Sequence, residues 1–358
     1  MRVVGYTDVN GRPPFKLAIQ EVGGRWYLYT GHLWHRGWSI LDVTDPSQPS
    51  VVRFIPGPEN TWTIQMEVDE GTMITALEQM PESWGGDPNQ PFEEGVLVWS
   101  LADPTNPELL GHFRTGGTGT HRNFYAGGRY VHLAAGMPGY SGEIYVILDI
   151  SDPTRPVEAG RWWVPGQHEA GGETPEPGVS LHGPPYVEGN LAYLSYGAAG
   201  VVILDISDVS APRMVGQLDF SPPFLANIGL HSVLPLPVPS RKSPYRDFCE
   251  KGGRFGPYNI NPHFHSEFVE RRDDRVYLTY FNAGLRIYDI ENPRVPKEIG
   301  YFIPPDPTQR FGPQPPDRLV VQTEDVLVDR RGYIYITNKN QGLWILRYTG
   351  RPALDSRP

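Results

Sequence analysis

Five times the chain runs an apolar, β-branched segment into a turn built on Asp-Pro-x-x-Pro or a close variant, and nothing else in the sequence restricts the fold as strongly. The copies are ILDVTDPSQP (40–49), VWSLADPTNP (98–107), ILDISDPTRP (147–156), ILDISDVSAP (203–212) and IYDIENPRVP (287–296). Each reads as a strand stopped by a proline-fixed turn. Recurrence at spacings of roughly 45–85 residues marks a repeat architecture.

The third repeat shows the unit most fully. Strands are expected at 121–126, 130–134, 144–150 and 157–163, with Gly127-Gly128 and the Asp-Pro turn between them. Four short antiparallel strands per repeat make one blade of a β-propeller, so the fold class is all-β. The last repeat supplies strands at 325–328, 333–336 and 343–346 but no fourth. Arg2-Val3-Val4-Gly5-Tyr6 matches Lys297-Glu298-Ile299-Gly300-Tyr301 in type and order. The N-terminal strand is therefore expected to pair with the last blade and close the ring, which removes exposed edges.

This gives six full four-stranded blades. A degenerate seventh is expected near His231-Ser232-Val233-Leu234, because the 34 residues from His231 to His265 cannot hold four strands of about five residues each. Residues 1–349 form one propeller domain in this reading, and 350–358 a tail.

Composition closes off several function classes. The 40 glycines and 38 prolines suit many short strands and turns, and 12% aromatic residues argue against disorder. A net charge of −10 disfavours nucleic acid and anionic membranes as partners. Cys249 is the single cysteine, so neither an intramolecular disulfide nor a cysteine-based zinc site can form. Met1 to Asp8 has no apolar run of signal-peptide length, and a cytoplasmic protein is the expectation. Oligomeric state is not legible.

Turns between the first and second, and third and fourth, strands of each blade are uniformly short. The other connections are long, notably 77–95, 164–180 and 304–320, so binding and chemistry are expected on that face. The start of the innermost strand opens onto it. His121 lies nine residues before Tyr130, His182 nine before Leu191, and Glu324 nine before Tyr333. His231 opens the remnant strand, and His265 falls into register if the turn at 271–274 is two residues longer. Imidazoles repeated at one blade position converge near the propeller axis, and converging imidazoles bind transition metals.

The expected metal set is thus His121, His182, His231 and His265, with His263 as a substitute for His265. The cofactor is a divalent transition metal, iron first, with manganese, zinc or copper as alternatives. Glu324 or Glu267 would act as a catalytic carboxylate or hold a ligand imidazole. His32 and His35 would line a substrate entrance, and Arg122 and Arg254 would bind an anionic substrate. Loop aromatics Trp34, Trp84, Tyr140 and Phe281 suggest an apolar or aromatic one. His112 and His132 read as structural.

The Leu-Asp-Ile-Ser-Asp-Pro repeats resemble the LVIVD-repeat family of bacterial β-propeller proteins over 15–346, together with 254–257, 279–286 and 298–302. The resemblance implies a propeller scaffold; it also implies a complete blade between His231 and Arg254, where this chain departs. In architecture alone, four axial histidines are similar to the ferrous centre of carotenoid-cleaving dioxygenases and the metal centre of the selenium-binding protein (methanethiol oxidase) family. Two functions follow as expectations. One is a metal-dependent enzyme acting on a small organic substrate, oxidation favoured over hydrolysis or lysis. The other is a non-catalytic interaction propeller with a water-filled, histidine-lined channel.

Overall fold

Residues 1–172, 177–219, 248–261 and 265–350 are described by the computed structural model. They form short antiparallel strands with almost no helix. The chain packs as two compact units: Met1–Ile55 with Ser83–Gly85 and Pro235–Pro358, and Pro56–Glu82 with Gly86–Leu234. They are called the first and second unit below.

The repeated turn has a definite chemistry. Oδ1 of Asp149 accepts hydrogen bonds from the Ser151 amide (2.9 Å) and hydroxyl (2.6 Å). Oδ1 of Asp152 accepts from the Thr154 amide (3.1 Å) and hydroxyl (2.6 Å). Two successive Asx turns therefore stop the strand and reverse the chain. Asp45 with Ser47, Asp103 with Thr105 and Asp208 with Ser210 repeat the second of them.

In the second unit, Met66–Asp69, Thr72–Gln79, Gly95–Ser100 and Glu108–Phe113 form one four-stranded meander. Gly119–Phe124, Tyr130–Gly136, Glu143–Asp149 and Val157–Trp162 form the next, and a bridge from Gly119 to Glu78 joins the two. Tyr186–Glu188, Leu191–Ser195, Val201–Asp205 and Arg213–Leu218 make a third. Along Glu143–Asp149, Ile144, Val146 and Leu148 pack into one core, and Tyr145 and Ile147 into another. A strand buried on both faces reads as an unbroken apolar run, which is why the repeat is so visible. Neighbouring sheets approach closely: a Cβ on Gly160 would lie 1.9 Å from the Val209 carbonyl oxygen of the next sheet's turn. Only glycine fits there.

In the first unit, Pro14–Val22, Arg25–His32, Gly37–Asp42 and Ser50–Pro56 form a four-stranded sheet. A second sheet holds Thr323–Val328, Tyr333–Asn338, Gly342–Arg347 and, on its edge, the N-terminal Arg2–Thr7. The N-terminal strand thus completes the last blade, as its sequence match implied. Leu17, Ile19, Leu28 and Leu41 pack against Leu327, Tyr335, Leu343 and Ile345 between these sheets.

The sheet of Arg275–Thr279, Leu285–Asp289 and Lys297–Phe302 differs from expectation at its inner edge. Arg275–Thr279 pairs there with 258–260, through a bridge from Ile260 to Leu278 and a Thr279 amide donated to Asn259 O (2.8 Å). The chain after His265 instead reaches the last blade, where the Glu270 amide donates to Val328 O (2.8 Å). Asn259, not His265, therefore stands where the first strand of this blade begins. The remnant strand expected at 231–236 lies outside the described residues. Among those residues no helix is long and apolar enough to cross a membrane.

Candidate metal centre

The strand ends of the second unit bring together Glu78, His121 and Glu143. Their ligand atoms all lie within 4.8 Å of one another. Glu78 sits near the end of Thr72–Gln79, pinned between Trp62 and Gly119 by strand pairing. His121 sits in a bulge, where the register with Tyr130–Gly136 shifts between Thr120 and Arg122. A bulge leaves one residue out of the ladder and re-aims its side chain.

Glu143 opens its strand and is held by the long loop before the next blade. Its amide donates to Ser180 Oγ (2.9 Å), and its carbonyl accepts from the Leu181 amide (3.0 Å) and Gln167 Nε2 (3.1 Å). The same loop delivers His182, whose amide donates to Ser195 O (3.1 Å).

Nδ1 of His121 lies 2.7 Å from Glu78 Oε2, and the two side chains are 11% and 15% exposed. The rings of His121 and His182 stand 4.6 Å apart at 34°, with Trp62 6.2 Å from His121. Burial, and then the Glu78 carboxylate, hold the Glu143 carboxyl well above the ordinary carboxylate range, and Arg122 opposes them. Two carboxyl groups and an imidazole crowded into a dry corner form a donor set that a cation would neutralise.

His121 and His182 are thus brought together. His231 and His263 lie outside the described residues, and His265 belongs to the first unit, where its carbonyl accepts from Arg271 (3.0 Å). Arg122 is buried beside Glu143. Glu78 and Glu143 are not among the residues expected from the sequence, which followed the register position shared by His121, His182 and Glu324 at the start of each blade. Their signal was a carboxylate at the end of an otherwise apolar strand, in Thr75-Ala76-Leu77-Glu78 and Glu143-Ile144-Tyr145.

The other candidates fall in the first unit. Glu324 is buried and pairs with Lys339 at 2.7 Å. Glu267 is 76% exposed and lies 3.6 Å from Arg330. His32, expected to line a substrate entrance, is fully buried at a strand end, with Nδ1 3.2 Å from Pro13 O and Nε2 2.7 Å from Ser39 Oγ. His35 packs on Phe311 at 5.4 Å. Arg254 lies over the rings of Trp84 and Phe281.

Antiparallel meanders repeated around strands buried on both faces define a β-propeller protein. The solved structure of the β-propeller domain of Cps50 (Swd1) from Myceliophteria thermophila is similar, with a TM-score of 0.54 and 10% identity over 97% of this chain and 99% of that one. The family model described as "LVIVD repeat" matches residues 141–163 and 186–219. The chain is a β-propeller protein that carries LVIVD repeats in these two segments. A solved structure of a Lactobacillus plantarum protein also aligns, with a TM-score of 0.43 and 11% identity over 93% of this chain and 88% of that one. No curated protein matches the chain.

Proposed function

We propose that the protein is a metal-dependent enzyme, acting on a small organic substrate, whose metal is held by His121 and Glu143 with Glu78 and His182 beside them. The observation that carries this reading is the meeting of three ligand-type side chains within 4.8 Å at the ends of separately anchored strands. The set departs from the all-imidazole expectation. A mixed imidazole–carboxylate set suits iron, manganese or zinc, and copper less well. Iron remains the first choice, and oxidation the favoured reaction. Bound there, the metal would supply Lewis acidity to a substrate oxygen or to water. Glu78 would fix the His121 ring, and Arg122 would balance the negative charge near Glu143. The single cysteine suits the reducing cytoplasm.

Elemental analysis of protein purified without a metal-affinity tag tests the reading. About one equivalent of metal per chain, lost in His121→Ala, is the expected result. Less than about a tenth of an equivalent, with no uptake on titration, would leave the interaction propeller as the better reading.

A further inference from the structure

The first unit holds a second concentration of polar side chains, unrelated to the metal centre. Gln322, Thr323, Glu324 and Asp325 on one strand end, and Thr337, Asn338, Lys339 and Asn340 on its neighbour, are all at most 1% exposed. Most of their charge is balanced internally. Lys339 Nζ lies 2.7 Å from Glu324 Oε1, and Lys16 Nζ 3.8 Å from Asp325 Oδ2. Thr323 Oγ1 and Asn338 Nδ2 have no hydrogen-bond partner among the described residues. Buried polar groups are nearly always paired.

Against this centre stands one cation that is not balanced. Lys339 Nζ lies 4.7 Å from the centre of the Trp84 ring, and the Arg254 guanidinium 5.2 Å from the same ring and 5.7 Å from that of Phe281. Among the described residues no carboxylate pairs with Arg254. Its head group is exposed, but its backbone is fixed. The Arg254 amide donates to Gln322 Oε1 (3.0 Å), and its carbonyl accepts from Gln322 Nε2 (3.3 Å) and the Asn282 amide (3.2 Å). Gly253 permits this clamp, since a Cβ there would lie 2.6 Å from Gln322 Nε2.

The walls are apolar and equally constrained. Phe281 sits at φ 45°, a conformation that costs a bulky residue about 1–3 kcal/mol and persists where surroundings impose it. Its ring packs on Tyr258 at 4.4 Å. Trp34 stacks on Trp84 at 5.8 Å and 25°, and its indole N–H donates to Lys339 O (2.7 Å).

We infer that Arg254, Trp84, Trp34 and Phe281 form a binding subsite for a small monoanionic carboxylate carried on an apolar, aromatic body. A guanidinium offers a planar fork that matches a carboxylate. Because Glu324 already neutralises Lys339, one net positive charge remains to be met, which favours a monoanion over a phosphate. The half-buried indoles supply apolar surface beside it. The subsite stands on the first unit alone and requires no metal.

Calorimetric titration of chelator-treated full-length protein with benzoate tests it, with benzyl alcohol and inorganic phosphate as comparison ligands. Benzoate is expected to bind at one saturable site, about tenfold or more tighter than benzyl alcohol, because a hydrogen-bonded charge contributes that much. Arg254→Gln should lose the same factor while melting as a folded protein, and His121→Ala should bind benzoate unchanged. Absence of saturable benzoate binding, tighter binding of phosphate, or equal benzoate affinity in Arg254→Gln would overturn the assignment.

Discussion

Glu78 Oε2 and His121 Nδ1 lie 2.7 Å apart, across a bridge that joins two blades of one unit. A carboxylate on Nδ1 selects the tautomer with the proton on that nitrogen and leaves the Nε2 lone pair for a metal. Glu78→Gln should therefore retain the fold and weaken metal uptake by about 10–100-fold, measured by competition against a chelator of known affinity. Unchanged affinity would remove Glu78 from the centre.

His182 and His132 separate a site histidine from a core histidine. His182 faces the His121 ring at 4.6 Å. His132 stacks on Tyr145 at 7° and meets its hydroxyl at 2.7 Å, and burial pushes its pKa down to about 4. His182→Ala should lower metal occupancy, while His132→Ala should lower thermal stability and leave occupancy alone. Equal metal loss in both variants would refute the placement of the centre.

The propeller was legible because burial on both faces of Glu143–Asp149 turns the strand into a continuous apolar run, and because two Asx turns need Asp at fixed offsets. The histidine register of the sequence places His121 and His182 at equivalent positions of adjacent blades, and their rings stand 4.6 Å apart. It failed at His265, since the partner of Arg275–Thr279 is supplied by 258–260, a segment with no repeat signature. Glu78 and Glu143 were hidden for a different reason. Their nearness to His121 depends on how different strands are brought together, and periodicity within one strand carries no record of that.

His32 gives a stability test with a defined sign. Burial first, then the neighbouring charges of His35 and Arg12, push its pKa down to about 3, against the Pro13 carbonyl. The unfolded imidazole titrates near about 6.5. Between these values the unfolded chain binds a proton that the folded chain does not. Stability is therefore complete above about pH 6.5 and falls as pH drops, by up to about 1.4 kcal/mol per pH unit for this group. Denaturant midpoints measured from pH 7 to 5 should fall less steeply in His32→Gln than in the parent. Parallel profiles would mean that His32 is not a buried neutral ring.

Lys339 and Glu324 form an ion pair with both side chains 1% exposed. Burial pulls the Lys339 pKa down, and Glu324 pulls it back up. Removing one partner leaves the other charge in a dry interior, at a cost of about 3–5 kcal/mol, whereas replacing both with groups of similar volume is often near neutral. Lys339→Met alone should therefore be strongly destabilising, and Glu324→Gln should recover much of that loss when added to it. Urea unfolding of the parent, both single variants and the double variant gives the coupling directly. If the two losses simply add, the pair is not a unit, and Lys339 keeps its place through its contact with the Trp84 ring at 4.7 Å.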